Sequence, residues 1–323
     1  MTRARLALGI PVYNQAATIA QTVASALAQT APFDEIAVVE NHSTDGTAER
    51  LQAFAGKIRI ISPPSHLGMV DNWNYCVSQM NAEWFSLLSG DDLLKPEFAA
   101  SVRQAITAQP AAALIRTDWD VIDGNGVVRS VHKQLSVSRV TAPPKTWQER
   151  LQGPKVSFAA FAVRRELWQT VGGFPTDFYL FQDWMFWLKL APLGSFVRVP
   201  LSLAQYRSHE RPGLDQQRAR LRLLDEYRYL MDVLPALPWQ ATNRDRKIMA
   251  IRHRRLTDLL NYLAQYSEVT HDADCCKKLA TLAAAAEMTP TFDAWRVNYK
   301  PIAPARGQTI LLGLKNFVRR VLA

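Results

Sequence analysis

The sequence predicts an α/β protein with a mostly parallel sheet flanked by helices, followed by a helical C-terminal extension. Short apolar segments alternate with amphipathic segments through the first ninety residues, and long Arg- and Leu-rich segments begin near residue 212. Strands that alternate with helices at this spacing form parallel sheets, because each helix supplies the crossover to the next strand. With 323 residues, 48% of them hydrophobic, the chain can bury one principal domain plus an extension.

Four strands and three helices are predicted in order. The strands are the apolar runs 6–12, 35–40, 58–61 and 84–88, and the helices are 18–29, 47–55 and 71–80. The first helix places Ile19, Val23, Ala26 and Leu27 on one side, as an amphipathic helix requires. A dense turn cluster, residues 41–46, closes the second strand. A hairpin is expected further on, with strands 118–122 and 127–131 joined by Gly124-Asn125-Gly126.

An acid pair, Asp91-Asp92, directly follows the apolar strand 84–88. Such a pair in isolation is typical of an ordinary turn. However, polar motifs also follow the first and second strands, after Ile10 and Val39. Ligands of parallel sheets sit at the carboxyl ends of the strands, where these motifs converge. Two carboxylates there suit a hard divalent cation such as Mg²⁺ or Mn²⁺, which prefers oxygen ligands and shares them with substrate phosphates.

Another candidate acid, Asp183, lies apart from this pair in the aromatic segment 178–188. That segment is apolar on nearly every side and is predicted to be a buried helix. Burial of a carboxylate raises its pKa. Asp183 is therefore a candidate general base, although a helix cap or a structural hydrogen-bond acceptor would use the same residue.

The C-terminal third is predicted to be helical and basic. Helices are expected at 214–234, 245–266 and 277–288. Residues 201–323 hold 20 Lys and Arg against 12 Asp and Glu, whereas residues 1–200 hold 18 against 17. This asymmetry indicates either an anionic partner or a solvated basic face. The tail 308–322 has the pattern of a basic amphipathic helix, which suits either a membrane interface or docking on its own domain.

Several classes of protein are excluded by composition and motif. The three cysteines have no CxxC spacing, so we expect a reducing compartment and no structural zinc. No run of 18 apolar residues is present, and the short apolar run at the N-terminus reads as a first strand rather than a signal peptide. The first strand is not followed by GxGxxG, the dinucleotide fingerprint. We therefore expect a cytoplasmic protein, peripheral at the inner face of the plasma membrane if the tail binds lipid.

Six segments in order along residues 5–212 resemble family 2 glycosyltransferases, the inverting nucleotide-sugar enzymes with the GT-A (Rossmann-like) fold. They are Ile10-Pro11-Val12-Tyr13-Asn14; residues 38–47; His66-Leu67-Gly68 with Asn72-Trp73-Asn74; Ser89-Gly90-Asp91-Asp92; Val171-Gly172-Gly173-Phe174 with Gln182-Asp183-Trp184; and Tyr206-Arg207-Ser208-His209. Each motif is weakly specific, but six in the right order are strongly so. The resemblance implies a catalytic domain over 1–212. The change of composition beyond it indicates a helical region over 213–300 and a basic amphipathic tail over 301–323.

The resemblance also implies a donor site. The nucleobase is expected against Pro11, Val12 and Tyr13, with Glu40 where the family often has an Asp facing the base. The region of Gly68 and Asn72 is expected to complete the nucleotide site. UDP is the expected nucleotide and dTDP the next choice.

The resemblance also implies the ligands of a divalent metal and the general base of the reaction. Asp91 is expected to bind Mn²⁺ or Mg²⁺ and, through it, the diphosphate, with Asp92 and His209 as helpers. Asp183 is expected to deprotonate an acceptor hydroxyl, which attacks the anomeric carbon on the face opposite the leaving nucleotide. A saccharide or lipid-linked saccharide of cell-surface polysaccharide synthesis is the expected acceptor, and no nucleic-acid partner is expected.

The chain departs from the family pattern at several positions. Ser89 replaces the first acid of the DxD motif, Glu40-Asn41 replaces an Asp pair, and Gln182 replaces the usual Glu. The QxxRW signature of processive synthases is absent, so transfer of a single sugar is expected. Two other functions stay open: a nucleotidyltransferase, and a non-catalytic protein that binds anionic lipid or nucleic acid through the basic helices. The first would normally carry a Gly-rich basic phosphate loop, which the turn after the first strand lacks.

Overall fold

A computed structural model describes residues 3–132, 137–208, 215–237, 244–266 and 272–289. The chain forms two compact units, Met1–Glu210 and Arg211–Ala323. The first unit contains the sheet and the second is helical.

The elements of the first unit alternate through its first half. Its strands are β1 Leu6–Val12, β2 Glu35–Glu40, β3 Arg59–Ile61, β4 Trp84–Leu87, β5 Leu93–Leu94, β6 Leu114–Ile122, β7 Val128–His132, β8 Arg139–Thr141, β9 Phe161–Arg164 and β10 Phe196–Arg207. Its helices are α1 Ile19–Leu27, α2 Thr47–Gln52, α3 Met69–Ser78, α4 Phe98–Ala108, α5 Lys145–Arg150, α6 Arg165–Thr170 and α7 Gln182–Leu190.

Ten strands form one sheet within the described residues, in the order β3-β2-β1-β4-β9-β6-β10-β5, with β7 beside β6 and β8 beside β10. Strands β3, β2, β1 and β4 are parallel, as is the β6–β10 pair, whereas β9 runs antiparallel between β4 and β6. The predicted α/β class is therefore confirmed. The antiparallel strands β5 and β9 were not predicted, because two to four residues are too few to show a period.

The sheet is covered by helices on both faces. On one face α1 and α4 pack on the sheet through Ile19, Val23, Phe98 and Val102. On the other face α3 and α7 pack through Cys76, Val77, Phe186 and Trp187. Every residue of β1 is buried, which is typical of a central parallel strand.

Helix α3 packs very closely on β1. A Cβ atom built on Gly9 would lie 2.6 Å from Cys76 Sγ and 2.8 Å from Leu87 Cδ2. A larger residue at this position would force these side chains to shift, so Gly9 allows Cys76 to pack directly against the strand. Cys76 is fully buried in this contact, as a packing residue is.

Most of the predicted elements differ from the structure by one to three residues at an end, and two differ more clearly. The hairpin is confirmed, with β6 antiparallel to β7 and Val121 opposite Ser130, but β6 begins earlier, at Leu114. The buried helix predicted over 178–188 begins only at Gln182 and ends at Leu190. The run of apolar residues indicated that the segment is buried, but it did not show where the helix begins. Phe178, for example, is buried (5% exposed) yet lies in the loop before α7.

The second unit contains three helical segments in its described residues. Helix α8, Asp215–Arg228, continues through a π-helical turn, Tyr229–Val233, into the short α9, Leu234–Ala236. Helix α10 is Arg244–Leu263 and α11 is Ala273–Ala285. The last helix starts four residues before the predicted position because the Asp272 carboxylate caps it by accepting a hydrogen bond from Cys275 N at 2.9 Å.

The tail 301–323 lies outside the described residues. In the part of the chain that is described, no helix is both long enough and apolar enough to cross a bilayer.

Candidate active site

The carboxyl ends of three adjacent parallel strands bring the sequence motifs together. In the register of the sheet, Val12 lies beside Glu40, and Gly9 lies beside Leu87. Backbone bonds continue beyond the strands, from Asn41 N to Val12 O at 3.0 Å and from Leu88 N to Gly9 O at 2.9 Å. The turn at Tyr13, the turn at Glu40 and the acid loop, residues 89–92, therefore occupy one edge of the sheet, where ligands of such sheets bind.

The turns after β1 and β2 are interlocked by side-chain hydrogen bonds. Asn14 has a φ of 51°, and its Oδ1 accepts a hydrogen bond from Thr44 N at 2.8 Å. In return, Asp45 Oδ2 accepts one from Ala16 N at 2.9 Å and Thr47 Oγ1 accepts one from Gln15 N at 2.8 Å. These bonds fix the backbone around Tyr13 without a ligand.

Glu40 and Asn41 stabilise the two loops that follow. The Glu40 carboxylate is buried and accepts hydrogen bonds from Ser43 N at 2.7 Å and His42 N at 3.2 Å. The Asn41 side chain accepts from Leu67 N at 2.8 Å and donates to Leu67 O at 2.9 Å. Glu40 thus shapes its own turn, while Asn41 fixes the segment that leads into α3.

The remaining predicted nucleotide residues line the same edge. Pro11 and Val12 are buried, whereas Tyr13 is 44% exposed and its ring lies 4.5 Å from that of His66, centroid to centroid. Gly68 precedes the first turn of α3, and its carbonyl accepts from Asn72 N at 2.8 Å. Asn72 is 4% exposed, and its Oδ1 has no hydrogen-bond partner among the described residues. An unpaired buried acceptor costs about 1–3 kcal/mol, so this oxygen is a ready acceptor for a ligand donor or a water.

The acid loop is attached tightly to β1 and α1. The carbonyl of Gly90 accepts hydrogen bonds from Thr18 Oγ1 at 2.9 Å and Thr22 Oγ1 at 3.0 Å. A Cβ atom on Gly90 would lie 2.8 Å from Val12 Cγ2, so the loop approaches β1 more closely than a side chain permits. The position of the two carboxylates is set by this contact.

Asp91 and Asp92 have different surroundings. Asp91 is 9% exposed, whereas Asp92 is 2% exposed and its Oδ1 accepts a hydrogen bond from Arg207 N at 2.8 Å. Burial and the neighbouring Asp91 carboxylate raise the pKa of Asp92 well above its ordinary value, and the Arg207 N–H and guanidinium only partly counter this. Asp92 thus belongs to the protein interior, and Asp91 is the more accessible acid of the pair.

Asp183 lies in the first turn of α7 and is half-buried. Burial raises its pKa from 3.8 to about 6, even though Trp184 N donates to its Oδ1 at 2.6 Å. A carboxylate with a pKa near 6 is a stronger base than a surface Asp and is still ionised at neutral pH. The surroundings of Asp183 therefore suit a general base.

Helix α3 connects the nucleotide edge to the segment that carries Asp183. Asn74 Oδ1 accepts from Phe174 N at 2.8 Å and from Trp168 Nε1 at 3.2 Å, and Asn74 Nδ2 donates to Phe174 O at 2.9 Å. A Cβ atom on Gly173, whose φ is 78°, would lie 2.6 Å from Asn74 Oδ1. Glycine is therefore needed at position 173 for the Gly172-Gly173-Phe174 turn to pack against α3.

No group of three or more His, Cys, Asp or Glu side chains that could hold a metal is found among the described residues, which exclude the predicted ligand His209. Asp91 alone nevertheless fits the way that proteins hold Mg²⁺, which is bound through one or two carboxylates together with substrate phosphates and waters.

The fold and the acids at the strand ends define a GT-A-type α/β protein. The sequence profile described as Glycosyl transferase family 2 matches residues 8–171, half of the chain, and the chain belongs to this family.

Relatives in sequence match about three fifths of the chain. An uncharacterized protein of Mycobacterium tuberculosis is 29% identical over 61% of this chain and 65% of its own length. A chondroitin synthase of Pasteurella multocida is 26% identical over 58% of this chain, but only 19% of the synthase is covered. The chain thus spans less than two thirds of the length of these relatives.

Solved structures of the same fold cover most of the chain. The S. aureus TarS fragment 1–349 in complex with UDP-GlcNAc has a TM-score of 0.62 at 15% identity, over 90% of this chain and 89% of that one. The mannosyltransferase PcManGT of Pyrobaculum calidifontis, solved with GDP-Man and Mn²⁺, has a TM-score of 0.57 at 19% identity, over 92% and 86%.

Two residues with important contacts were not given roles from the sequence, Asn74 and Arg207. Both stand in motifs that carry the family resemblance. The sequence could not predict their hydrogen-bond partners, because these lie about a hundred residues away along the chain.

Proposed function

We propose that this chain is an inverting glycosyltransferase that moves one sugar from a nucleoside-diphosphate sugar to an acceptor hydroxyl. The observation that carries the proposal is the half-buried Asp183, whose pKa is raised. The segment that carries it is hydrogen-bonded to α3, and α3 begins at the edge of the sheet where Asp91 lies. A general base and a diphosphate site on one rigid frame are what this reaction needs.

The nucleotide is proposed to bind at the ends of β1 and β2. Tyr13 offers an exposed aromatic face, and Pro11 and Val12 form the strand end below it. The orphaned Oδ1 of Asn72 can accept a hydrogen bond from the base or the ribose. Glu40 and Gly68 act through the backbone of their loops, since Glu40 holds its own turn and Gly68 begins α3.

Asp91 is proposed to hold Mg²⁺ or Mn²⁺ with the diphosphate, with Asp92 and His209 as helpers. When bound, the cation supplies positive charge against the charge that grows on the departing diphosphate. Asp92 contributes from the interior, where it fixes the backbone of Arg207. His209 lies two residues further along the chain, outside the described residues.

Asp183 is proposed to take the proton of the acceptor hydroxyl. The acceptor oxygen forms a bond to the anomeric carbon as the bond from that carbon to the phosphate oxygen breaks, and the nucleoside diphosphate leaves with the electron pair. Attack from the face opposite the leaving group inverts the anomeric centre. A positioned general base contributes about 10²- to 10⁴-fold to the rate.

UDP is the nucleotide we favour and dTDP the next, and the acceptor we propose is a saccharide or lipid-linked saccharide of cell-surface polysaccharide synthesis. TarS, a structural neighbour, was solved with UDP-GlcNAc, which supports UDP as the first candidate. The chondroitin synthase, a sequence relative, supports a saccharide acceptor.

Calorimetry with UDP, dTDP, GDP and CMP, each with and without Mn²⁺ or Mg²⁺, tests the donor site. One nucleoside diphosphate should bind more tightly with metal, and Asp91→Ala should abolish this gain while Glu166→Ala, an exposed acid outside the site, should not. No binding of any nucleotide to the folded protein would contradict the proposal.

Asp183→Asn separates an enzyme from the alternatives. This variant should still bind the nucleotide and lose sugar transfer, because the amide cannot take the hydroxyl proton. A binding protein that uses its basic helices on lipid or nucleic acid would be unaffected, and a nucleotidyltransferase would release pyrophosphate from a nucleoside triphosphate.

The basic tail is proposed to place the enzyme at an anionic membrane surface on the cytoplasmic side. Deletion of residues 307–323 should release the protein from phosphatidylglycerol-containing vesicles, since a basic amphipathic helix binds through both charge and apolar area. Equal vesicle binding by the full and the shortened chain would contradict the membrane role.

A further inference from the structure

Arg207 is a buried arginine at the end of β10 that no step of the proposed reaction uses. It is 2% exposed, yet all of its guanidinium nitrogens are hydrogen-bonded. A fully buried guanidinium is costly unless its hydrogen bonds are all made. The partners of this side chain therefore indicate what it stabilises.

The contacts of Arg207 converge on the acid loop. Its backbone N–H donates to Asp92 Oδ1 at 2.8 Å, and its Nε donates to the backbone carbonyl of Asp91 at 2.7 Å. One residue thus fixes both members of the acid pair, one through a carboxylate and the other through the main chain.

The rest of the guanidinium reaches two further elements. Nη1 donates to Asp123 O at 3.1 Å and Gly124 O at 2.9 Å, in the turn between β6 and β7, and Nη2 donates to Gln21 Oε1 at 3.2 Å on α1. Only the planar fork of arginine can donate to all of these acceptors at once; the single ammonium of lysine cannot.

We infer that Arg207 is a positioning residue for the divalent-metal and diphosphate site, which it serves by holding the backbone of Asp91 against α1 and the β6–β7 turn. This inference rests on the proposed function. A carboxylate that binds a cation must be held in place by its own supporting contacts, and loss of such contacts costs about 10- to 100-fold in metal affinity.

Arg103 provides a matched control. It is likewise buried and multiply bonded, with donors to Ala4 O and Pro32 O at 3.0 Å and to Asp34 Oδ2 at 2.7 Å. Its partners precede β1 and β2, at the amino end of the sheet. The seven residues of β1 separate the two ends by roughly 20 Å. Its replacement should lower the stability of the protein without touching the metal site.

The experiment measures the Mn²⁺ concentration that half-saturates the gain in UDP affinity, by calorimetry, for Arg207→Gln, Arg207→Lys, Arg103→Gln and the unsubstituted protein. Both glutamine variants should lower the melting temperature. Only the Arg207 variants should raise the Mn²⁺ requirement, by about tenfold or more. Mn²⁺ alone, followed by thermal shift, provides a readout that does not depend on turnover.

The outcomes separate the two hypotheses. If the unsubstituted protein shows no effect of Mn²⁺ on nucleotide binding or melting, both the proposed metal site and the role of Arg207 are wrong. If it shows the effect and the Arg207 variants show the same Mn²⁺ requirement, only the role of Arg207 is wrong. Should Arg207→Gln fail to fold, Gln21→Ala removes one acceptor on the exposed side of α1 and should still raise the Mn²⁺ requirement. If the Mn²⁺ requirement is unchanged in every variant that folds, the inference is wrong.

Discussion

Asn74 holds the backbone of Phe174 at both its donor and its acceptor, with hydrogen bonds of 2.8 Å to the N–H and 2.9 Å from the side-chain amide to the carbonyl. The two residues are 100 positions apart. This pair joins the helix that begins at the nucleotide edge to the turn that precedes α7, and so it fixes the position of the proposed base relative to the proposed donor site.

Replacement of Asn74 by Ala should therefore impair both stability and transfer. The variant leaves the N–H and the C=O of Phe174 without these partners, and each unpaired buried group costs about 1–3 kcal/mol. Urea unfolding measures the stability. The rate of sugar transfer at saturating donor reports whether Asp183 is still correctly placed, because a displaced base slows the transfer. Asn81→Ala, at an exposed asparagine, is the control and should change neither. A normal transfer rate in a destabilised Asn74→Ala would show that the contact is structural only.

The proposed base gives a pH dependence with a definite sign. Since the pKa of Asp183 is about 6, kcat/KM should fall about tenfold per pH unit below pH 6, as the base becomes protonated. A pH profile of the transfer reaction checks this, with nucleotide binding measured at each pH as the control. A flat profile between pH 5 and 7 would be inconsistent with Asp183 as the base.

The same raised pKa predicts that Asp183 opposes folding at neutral pH. The folded state holds the proton more tightly than the unfolded chain, so the contribution of Asp183 to stability is fully present below about pH 4 and is lost as the pH rises through about 6. Asp183→Asn removes this penalty and should stabilise the protein by about 1–3 kcal/mol at pH 7, with the gain shrinking toward pH 4. Denaturant unfolding at both pH values measures it.

Gly90 tests the close approach of the acid loop to β1. Gly90→Ala would place a methyl group 2.8 Å from Val12 Cγ2, and such overpacking costs about 1–3 kcal/mol. We expect lower stability and weaker nucleotide binding. The double variant Gly90→Ala/Val12→Ala should lose less stability than the sum of the losses of the two single variants, because the clash is removed. Gly124→Ala is the control, since no atom lies within 4 Å of its Cβ position.

The helical unit contains a buried ion pair whose loss should be costly. Glu226 is fully buried, and Arg255 donates to it from Nε at 3.0 Å and from a second nitrogen. Burial already raises the pKa of Glu226 despite this partner, and Arg255→Met should destabilise the protein by about 3–5 kcal/mol at neutral pH. The loss should shrink at low pH, where the carboxyl group is protonated.

An exposed pair in the same unit is the matched comparison. Arg220 and Asp272 lie 2.7 Å apart at the surface, so Arg220→Met should cost less than about 1 kcal/mol. The double variant Glu226→Gln/Arg255→Met should recover much of the loss of Arg255→Met. Circular dichroism during urea unfolding provides all of these values. Equal losses for the buried and the exposed pair would contradict the prediction.

Much of the first unit could be predicted from the sequence alone. The bounds of β1 and β2 agree with the prediction, because each is a continuous apolar run closed by turn residues. The strand ends also predicted where Tyr13, Glu40 and Asp91 would gather, since the carboxyl ends of parallel strands lie at one edge. Local pattern was sufficient for these features.

The tertiary structure decided the rest. Strand order, the antiparallel β9 and the contacts of Arg207 join residues as many as 186 positions apart, and no local period encodes such a choice of partner. The sequence by itself determined which segments are strands and which polar residues end them. Only packing decided that Asn74 would hold Phe174 and that Arg207 would hold Asp91, because a buried donor takes whichever acceptor the folded chain brings within hydrogen-bond distance.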